Sequence, residues 1–469
     1  MKPFFALLSL ALFIAVVTAG VPKDPSEMKA FNEASELILN NAGYDRVVNS
    51  SEIIAKIQKG EPVTYDNVVI RGDLNLSDLD LPRTRIERTL PDIVSGLSEN
   101  ATPINSPIRI NNSLIEGRFT FNNIIFNNSL NFVKSQFMND FLIQGSEFKA
   151  YANFKDSEFS GISQFRNSWF KKDVCFSNVA FDNSVNFSYS RFDGDVAFVE
   201  AYFNCPTTFL DAKFNGEVHF TLSQFNRNVI FSSSNFGISS FNKYTDFSKV
   251  QFNESALFNN IYFTNTADFR DAEFYGLLSL ESSQFSEDGL FQNATFGDMI
   301  SLTRTKYNKL YISFDSIKDA LEYDPAAYQL LIKNYNDLGF FDDANSCYFQ
   351  FMKQQFKHRD PMESPILFIF DFAAYVFYGY GVKVSYPMTW SLLTVVLFGG
   401  YWRKKGVNEP FRFSAKLFLS GSKLFFESPE RAIEHDGSWL NDMFSIERLL
   451  GAAFTIMIFL SISKMILRG

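Results

Sequence analysis

From Phe119 to Tyr307 large apolar residues return on a fixed beat in an otherwise polar chain. Phe176, Phe181, Phe187, Phe192, Phe198 and Phe203 are separated alternately by five and six residues, so the period is eleven with two aromatics per unit. One ladder comprises Phe137, Phe148, Phe159, Phe170, Phe181, Phe192, Phe203, Phe214, Phe225 and Phe236. It resumes at Phe258 and Phe269, with Leu280 and Leu302 as later substitutes. A second ladder slips once, from Phe231 to Phe241, and then runs through Phe252, Phe263, Phe274, Phe285 and Phe296 to Tyr307.

An eleven-residue period suits a right-handed coiled coil. Here, however, Asn, Ser, Asp and Gly fill the intervals, and these are poor residues for a helix interior. Strict alternation is absent too, which argues against a hairpin sheet. A short fixed period implies stacked repeats. Ser190 precedes Phe192 by two positions, as Ala201 precedes Phe203, Ala212 precedes Phe214 and Ser223 precedes Phe225. Residues two apart on an extended chain point the same way, and the intervening Asn, Asp, Gly and Ser suit turns. The pattern predicts a chain that turns a corner every five or six residues, with four sides closing one coil. Coils of about 22 residues stacked ~4.8 Å apart would number about nine and extend roughly 45 Å.

Ser-Arg-Phe at 190–192, Ala-Lys-Phe at 212–214 and Ala-Glu-Phe at 272–274 carry a family likeness. Through them this stretch resembles the pentapeptide-repeat proteins, in their Phe-rich branch with an eleven-residue double unit. The resemblance implies a mainly β fold, a right-handed quadrilateral β-helix over residues 66–315. Acidic strict-repeat members mimic a DNA duplex and bind topoisomerase. This chain departs from the strict pattern by one extra residue in every second unit, and the export signals below separate it from such a target.

Residues 1–19 carry Lys2, an apolar run from Phe4 to Val17 and the small-residue site Val17-Thr18-Ala19, the marks of a secretory signal. Export agrees with Asn-x-Ser/Thr acceptors at Asn49, Asn75, Asn100, Asn111, Asn127, Asn186, Asn253 and Asn293, which make the chain a glycoprotein candidate. Residues 20–65 read as N-terminal helices. One spans 26–42 with Met28, Phe31, Ala34, Leu37 and Ile38 on one face, and another spans 51–60 with Ser51 as a cap. The run Val68 to Leu76 resembles the family's opening coil, and residues 83–104 are expected to loop out of it. Residues 316–360 read as a helical hairpin that caps the far end, with Tyr328, Leu331, Ile332 and Tyr335 on one helix and Cys347, Tyr348, Phe351 and Met352 on the other.

Residues 361–469 read as a membrane region. Spans are expected near 386–402 and 449–467, with Ile366 to Tyr378 as an interfacial segment. The positive charges Arg403, Lys404, Lys405, Arg412, Lys416, Lys423 and Arg431 assign the connecting loop to the cytoplasm and the repeats to the exterior. Two spans flanking an apolar segment weakly resemble the two-helix pore domain of potassium channels, on Ser414 to Phe426 and Glu447 to Gly451. No Gly-Tyr-Gly follows Phe426, and Tyr378-Gly379-Tyr380-Gly381 precedes the first span, so it reads as a turn.

The 56 Phe among 469 residues are accounted for by the repeats, and a net charge of −9 argues against phosphate-backbone binding, so no nucleic acid partner is expected. Cys175, Cys205 and Cys347 are too scattered for a disulfide framework, and His219, His358 and His435 do not cluster. Glu147, Glu158, Asp211 and Asp271 read as solvated faces of the repeats. No catalytic, cofactor or metal residues emerge. The expected function is a non-enzymatic, membrane-anchored repeat protein that presents a rigid surface to an unknown protein partner outside the cell. The alternative is an ion-channel-like transport module carrying a repeat domain.

Overall fold

The computed structural model describes residues 43–88, 93, 96–234, 239–421 and 438–466. The expected signal segment, the helix at 26–42 and Phe236 lie outside them. The chain divides into two compact units, Met1–Glu322 and Tyr323–Gly469.

The first unit is a parallel β-solenoid. One coil runs through the two-residue strands Gln136–Phe137, Phe141–Leu142, Glu147–Phe148 and Ala152–Asn153 before Glu158–Phe159 returns to the first side. Each strand pairs in parallel with its counterpart one coil on, as Phe137 with Phe159 and Phe148 with Phe170. One side is eleven strands deep, which at ~4.8 Å per strand is roughly 50 Å.

Phe supplies the core because strand spacing matches ring stacking. Phe203 lies 4.4 Å from Phe225 with planes 6° apart, and Phe198 lies 4.7 Å from Phe220 at 4°. Rings on different sides meet edge to face, as Phe198 and Phe209 do at 84°. Each buried Phe contributes about 1.5–3 kcal/mol. Val, Ala, Ser or Thr two positions earlier fills the space beside each ring, as Val196, Ala201 and Thr207 do.

Eleven, rather than ten, residues per pair of sides has a backbone cause. Asp156, Asn167, Asn178, Tyr189, Glu200, Asp211 and Leu222 all have positive φ, at every second corner. The extra residue takes the left-handed conformation and lets the chain turn. The small residue that follows often closes the corner. Ser190 Oγ donates to the Phe165 carbonyl at 2.6 Å and accepts from the Ser168 N–H at 3.3 Å. Ser146 and Ser135 bridge coils in the same way. These serines are therefore hydrogen-bonding links as well as small residues.

As the expected coil of about 22 residues requires, each eleven-residue ladder is two columns, with neighbours in a column one coil apart. Phe137 stacks on Phe159 and Phe148 stacks on Phe170. The slip near Phe231 is an insertion of a whole side's length. Phe214 stacks on Phe241 and Phe225 on Phe252, and the coil there spans 27 residues in place of 22. Phe225 thus continues into Phe252, which the spacing assigned to the other ladder. An insertion at one corner leaves all four sides in register.

At the N-terminal end, helix α1 (Ser50–Gln58) buries Ile53 and Ile57 against strands Arg46–Asn49 and Leu74–Asn75. It covers strand edges that would otherwise stand open. Its N-cap is Asn49, not Ser51. Residues 83–104 do not all loop out: Asn100–Ile104 is a strand of the solenoid, pairing with Ile124–Phe126, and Thr84–Arg85 pairs back on it antiparallel. At the other end the short helix α2 (Phe314–Ile317) buries Phe314 and Ile317.

The second unit is helical. Helices α3 (Pro325–Asp337) and α4 (Phe341–His358) form a hairpin burying Tyr328, Leu331, Tyr335, Cys347 and Phe351; Ile332 is only half-buried. Helix α5 (Pro365–Ala373) runs through one π-turn into Gly379–Gly381. There Gly379, Tyr380 and Gly381 all have positive φ, which stops the helix, so the Tyr-Gly-Tyr-Gly run is a turn. Helices α6 (Ser385–Lys404), α7 (Pro410–Ser420) and α8 (Ser438–Ile466) pack against one another. Among the described residues Asp442–Lys464 is the one helical stretch long and apolar enough to cross a membrane by itself. The expected span at 386–402 does not qualify alone; α6 passes only together with Pro365–Gly381, from which it is bent by 111°. The turn at Gly379–Gly381 breaks what would otherwise be a continuous apolar run.

Candidate functional site: the outward face of the solenoid

Inward positions are filled by Phe and small residues, so the chemistry of the solenoid lies on its outward side chains. These recur in columns set by the strand register. Glu147, Trp169, Arg191 and Lys213 are successive partners on one side. The half-buried Trp169 lies between two cations, with Lys171 Nζ 4.0 Å and Arg191 Cζ 4.7 Å from its ring centroid. Each such contact is worth about 0.5–2 kcal/mol. The indole N–H donates to Asp193 Oδ2 at 2.7 Å, and Arg191 Nε and Asn215 Nδ2 donate to Asp193 Oδ1 at 2.7 and 2.6 Å. Burial works against the Asp193 carboxylate, but these three donors outweigh it and hold its pKa below the usual range. Lys171 pairs with the buried Glu147 at 2.7 Å. The result is an aromatic plate fixed by a charged, hydrogen-bonded frame. Sequence reading named Glu147 as a solvated carboxylate but did not single out Trp169, Lys171 or Asp193; the 22-residue spacing of Trp169, Arg191 and Lys213 was the available signal.

A second frame stands on another side. Asp268 accepts from Arg270 Nε at 2.9 Å and from the Tyr244 hydroxyl at 2.9 Å. Burial disfavours the ionised Asp268, yet the Arg270 hydrogen bonds prevail and lower its pKa. Tyr244 is pushed up by burial and then by its bond to Asp268.

The carboxylates read as solvated faces divide. Asp271 is exposed, whereas Glu147 and Asp211 are buried. Asp211 accepts from the Ser234 N–H at 2.8 Å, fastening the inserted corner. Glu158 is half-buried, and burial followed by the nearby Asp182 charge raises its pKa. Cys175, Cys205 and Cys347 are free thiols, and burial pushes the Cys205 thiol up to about 11. Among the described residues no group of His, Cys, Asp and Glu could hold a metal ion.

The eight glycosylation acceptors are unequal. Asn49 and Asn100 are exposed. Asn127, Asn253 and Asn293 each donate their side-chain amide to the coil before, to Asn105, Asn226 and Asp271. Asn75 donates to Asp78, Asn186 is half-buried on a strand, and Asn111 is buried. The Asn111 side-chain oxygen accepts from the Val133 N–H at 3.2 Å.

No known protein family, curated protein or solved structure matches this chain.

Proposed function

We propose that this is a non-enzymatic, membrane-anchored member of the pentapeptide-repeat class whose solenoid presents a rigid surface to a protein partner on the exterior side. The observation that carries the reading is Trp169 held in register with Arg191 on a stiff parallel sheet. Trp and Arg dominate binding hot spots because they bury large, preorganised surface. A side chain locked by neighbours loses little entropy on binding. Anchoring is supported by Asp442–Lys464, and exterior placement by the signal-like N-terminus and the basic residues between the helices.

Protease added to intact cells is expected to remove the solenoid and spare the 403–448 loop; protection of the solenoid overturns the orientation. Surface cross-linking of the full chain is expected to trap a partner, with Trp169→Ala weakening capture at least thirtyfold, the effect of about 2 kcal/mol. A second reading, an ion-conducting module, draws on α7 packing between α6 and α8. Single-channel currents from the full chain in planar bilayers would favour it over the anchor.

A further inference from the structure

In the second unit a carboxyl is buried where three helices meet. Glu447 on α8 is completely shielded from solvent. Trp402 Nε1 on α6 donates to its Oε2 at 2.7 Å, and Ser414 on α7 forms a short hydrogen bond with its Oε1. The Ser414 hydroxyl also lies 3.0 Å from the Val395 carbonyl of α6.

A hydroxyl has one proton to give. If Ser414 donates to the Val395 carbonyl, its oxygen is left to accept, and among the described residues the group that meets it and can supply that proton is Glu447. A neutral Glu447 then donates from Oε1 to Ser414 and accepts at Oε2 from Trp402, and every polar atom is satisfied. An ionised Glu447 would compete with Val395 for the single Ser414 proton. It would also be a buried charge with no counter-charge among the described residues, which is strongly unfavourable.

The charged groups nearby do not supply one. Among the described residues Glu447 forms no ion pair. On α6, Arg403 and Lys404 stand at the exposed end; on α7, Arg412 pairs with Glu409 and Lys416 is exposed. On α8 itself Asp442 is exposed, Arg448 lies over the Phe444 ring at 6.0 Å and Lys464 over the Tyr348 ring at 4.7 Å. The turn Gly379–Gly381, which also packs on α8, brings Tyr380, and the π-turn before it carries Tyr375 and Tyr378. Water has little space to enter, because α7 and α8 touch backbone to backbone. A Cβ on Gly421 would lie 2.0 Å from the Arg448 carbonyl oxygen, and one on Gly451 would lie 2.0 Å from that of Phe418.

We propose that Glu447 is a proton-binding site, and that its bound proton latches α6, α7 and α8 together. Loss of that proton leaves a charge in a dry junction, and the helices part to let water reach it. This latch is independent of the partner face on the solenoid.

The test is infrared spectroscopy of the full chain in phosphatidylcholine vesicles at neutral pH. Subtracting Glu447→Gln, which keeps the shape and a donor, is expected to reveal one protonated-carboxyl carbonyl band in the unaltered protein. Ser414→Ala, which keeps the carboxyl, is expected to move that band. Raising pH should remove the band and lower the thermal midpoint of the helical signal in the unaltered protein, while Glu447→Gln stays flat. A difference spectrum containing only carboxylate bands overturns the proposal. So does a band unmoved in Ser414→Ala, or the same pH profile in Glu447→Gln.

Discussion

The two units place apolar residues in opposite ways. In the solenoid, Phe at every corner points inward: Phe187, Phe192, Phe198, Phe203 and Phe209 have no exposed surface. In the helical unit large apolar residues point outward, with Leu449 71% and Phe459 68% exposed on α8 and Leu392 67% exposed on α6. The first arrangement is driven by water. The second makes sense only in contact with lipid or further protein, since an exposed apolar surface of this extent is otherwise unfavourable in water. Polar side chains are likewise inverted. Hydrogen-bonded serines and asparagines tie successive solenoid coils, whereas the helical unit buries Glu447 and Ser414 at its centre.

The sharpest way to break this comparison is to put the same charge on a Phe of each unit. Phe203→Asp is expected to cost more than about 5 kcal/mol, because it removes a packed ring and buries an unpaired carboxylate. The strand signal in circular dichroism of the full chain should be lost. Phe459→Asp should leave that signal intact and weaken bilayer insertion by about 3 kcal/mol, measured by flotation with vesicles. Equal effects on the strand signal would defeat the contrast.

A smaller effect is expected at the serine links. Ser223 Oγ donates to the Phe198 carbonyl and accepts from the Ala201 N–H at 3.0 Å. Ser223→Ala should destabilise the solenoid by about 1–2 kcal/mol in denaturant unfolding, since the buried partners lose their bond. Acid should act through the carboxylate frames. Asp193 and Asp268 have pKa values lowered in the folded chain, so their contribution is present above the ordinary Asp value of about 3.9 and is lost as pH falls through their folded values. Thermal midpoints should drop below about pH 4, and Asp268→Asn should flatten that drop. The smallest change expected is a gain. Leu222 holds φ at 62°, and Leu222→Gly should relieve up to about 1 kcal/mol of backbone strain, seen as a slightly higher midpoint. A lower midpoint would mean that the Leu222 side chain contributes more than its backbone conformation costs.

The sequence by itself determined the parallel solenoid, its period and its inward Phe, because a stack of identical coils imposes the same requirement every eleven residues. It also placed the turn at Gly379, whose φ is +55°. What it could not decide were relations between residues on different coils or helices. The coil of about 22 residues was legible, but the inward Phe do not show which outward side chains meet, and the column joining Trp169, Arg191 and Lys213 went unseen. Glu147 and Asp211 look like surface carboxylates until Lys171 and Ser234 are brought to them from distant positions. Glu447 looks like one more helix glutamate until α6 and α7 close over it. Burial and hydrogen-bond partnership depend on which segments meet, and that is decided only when the chain is folded.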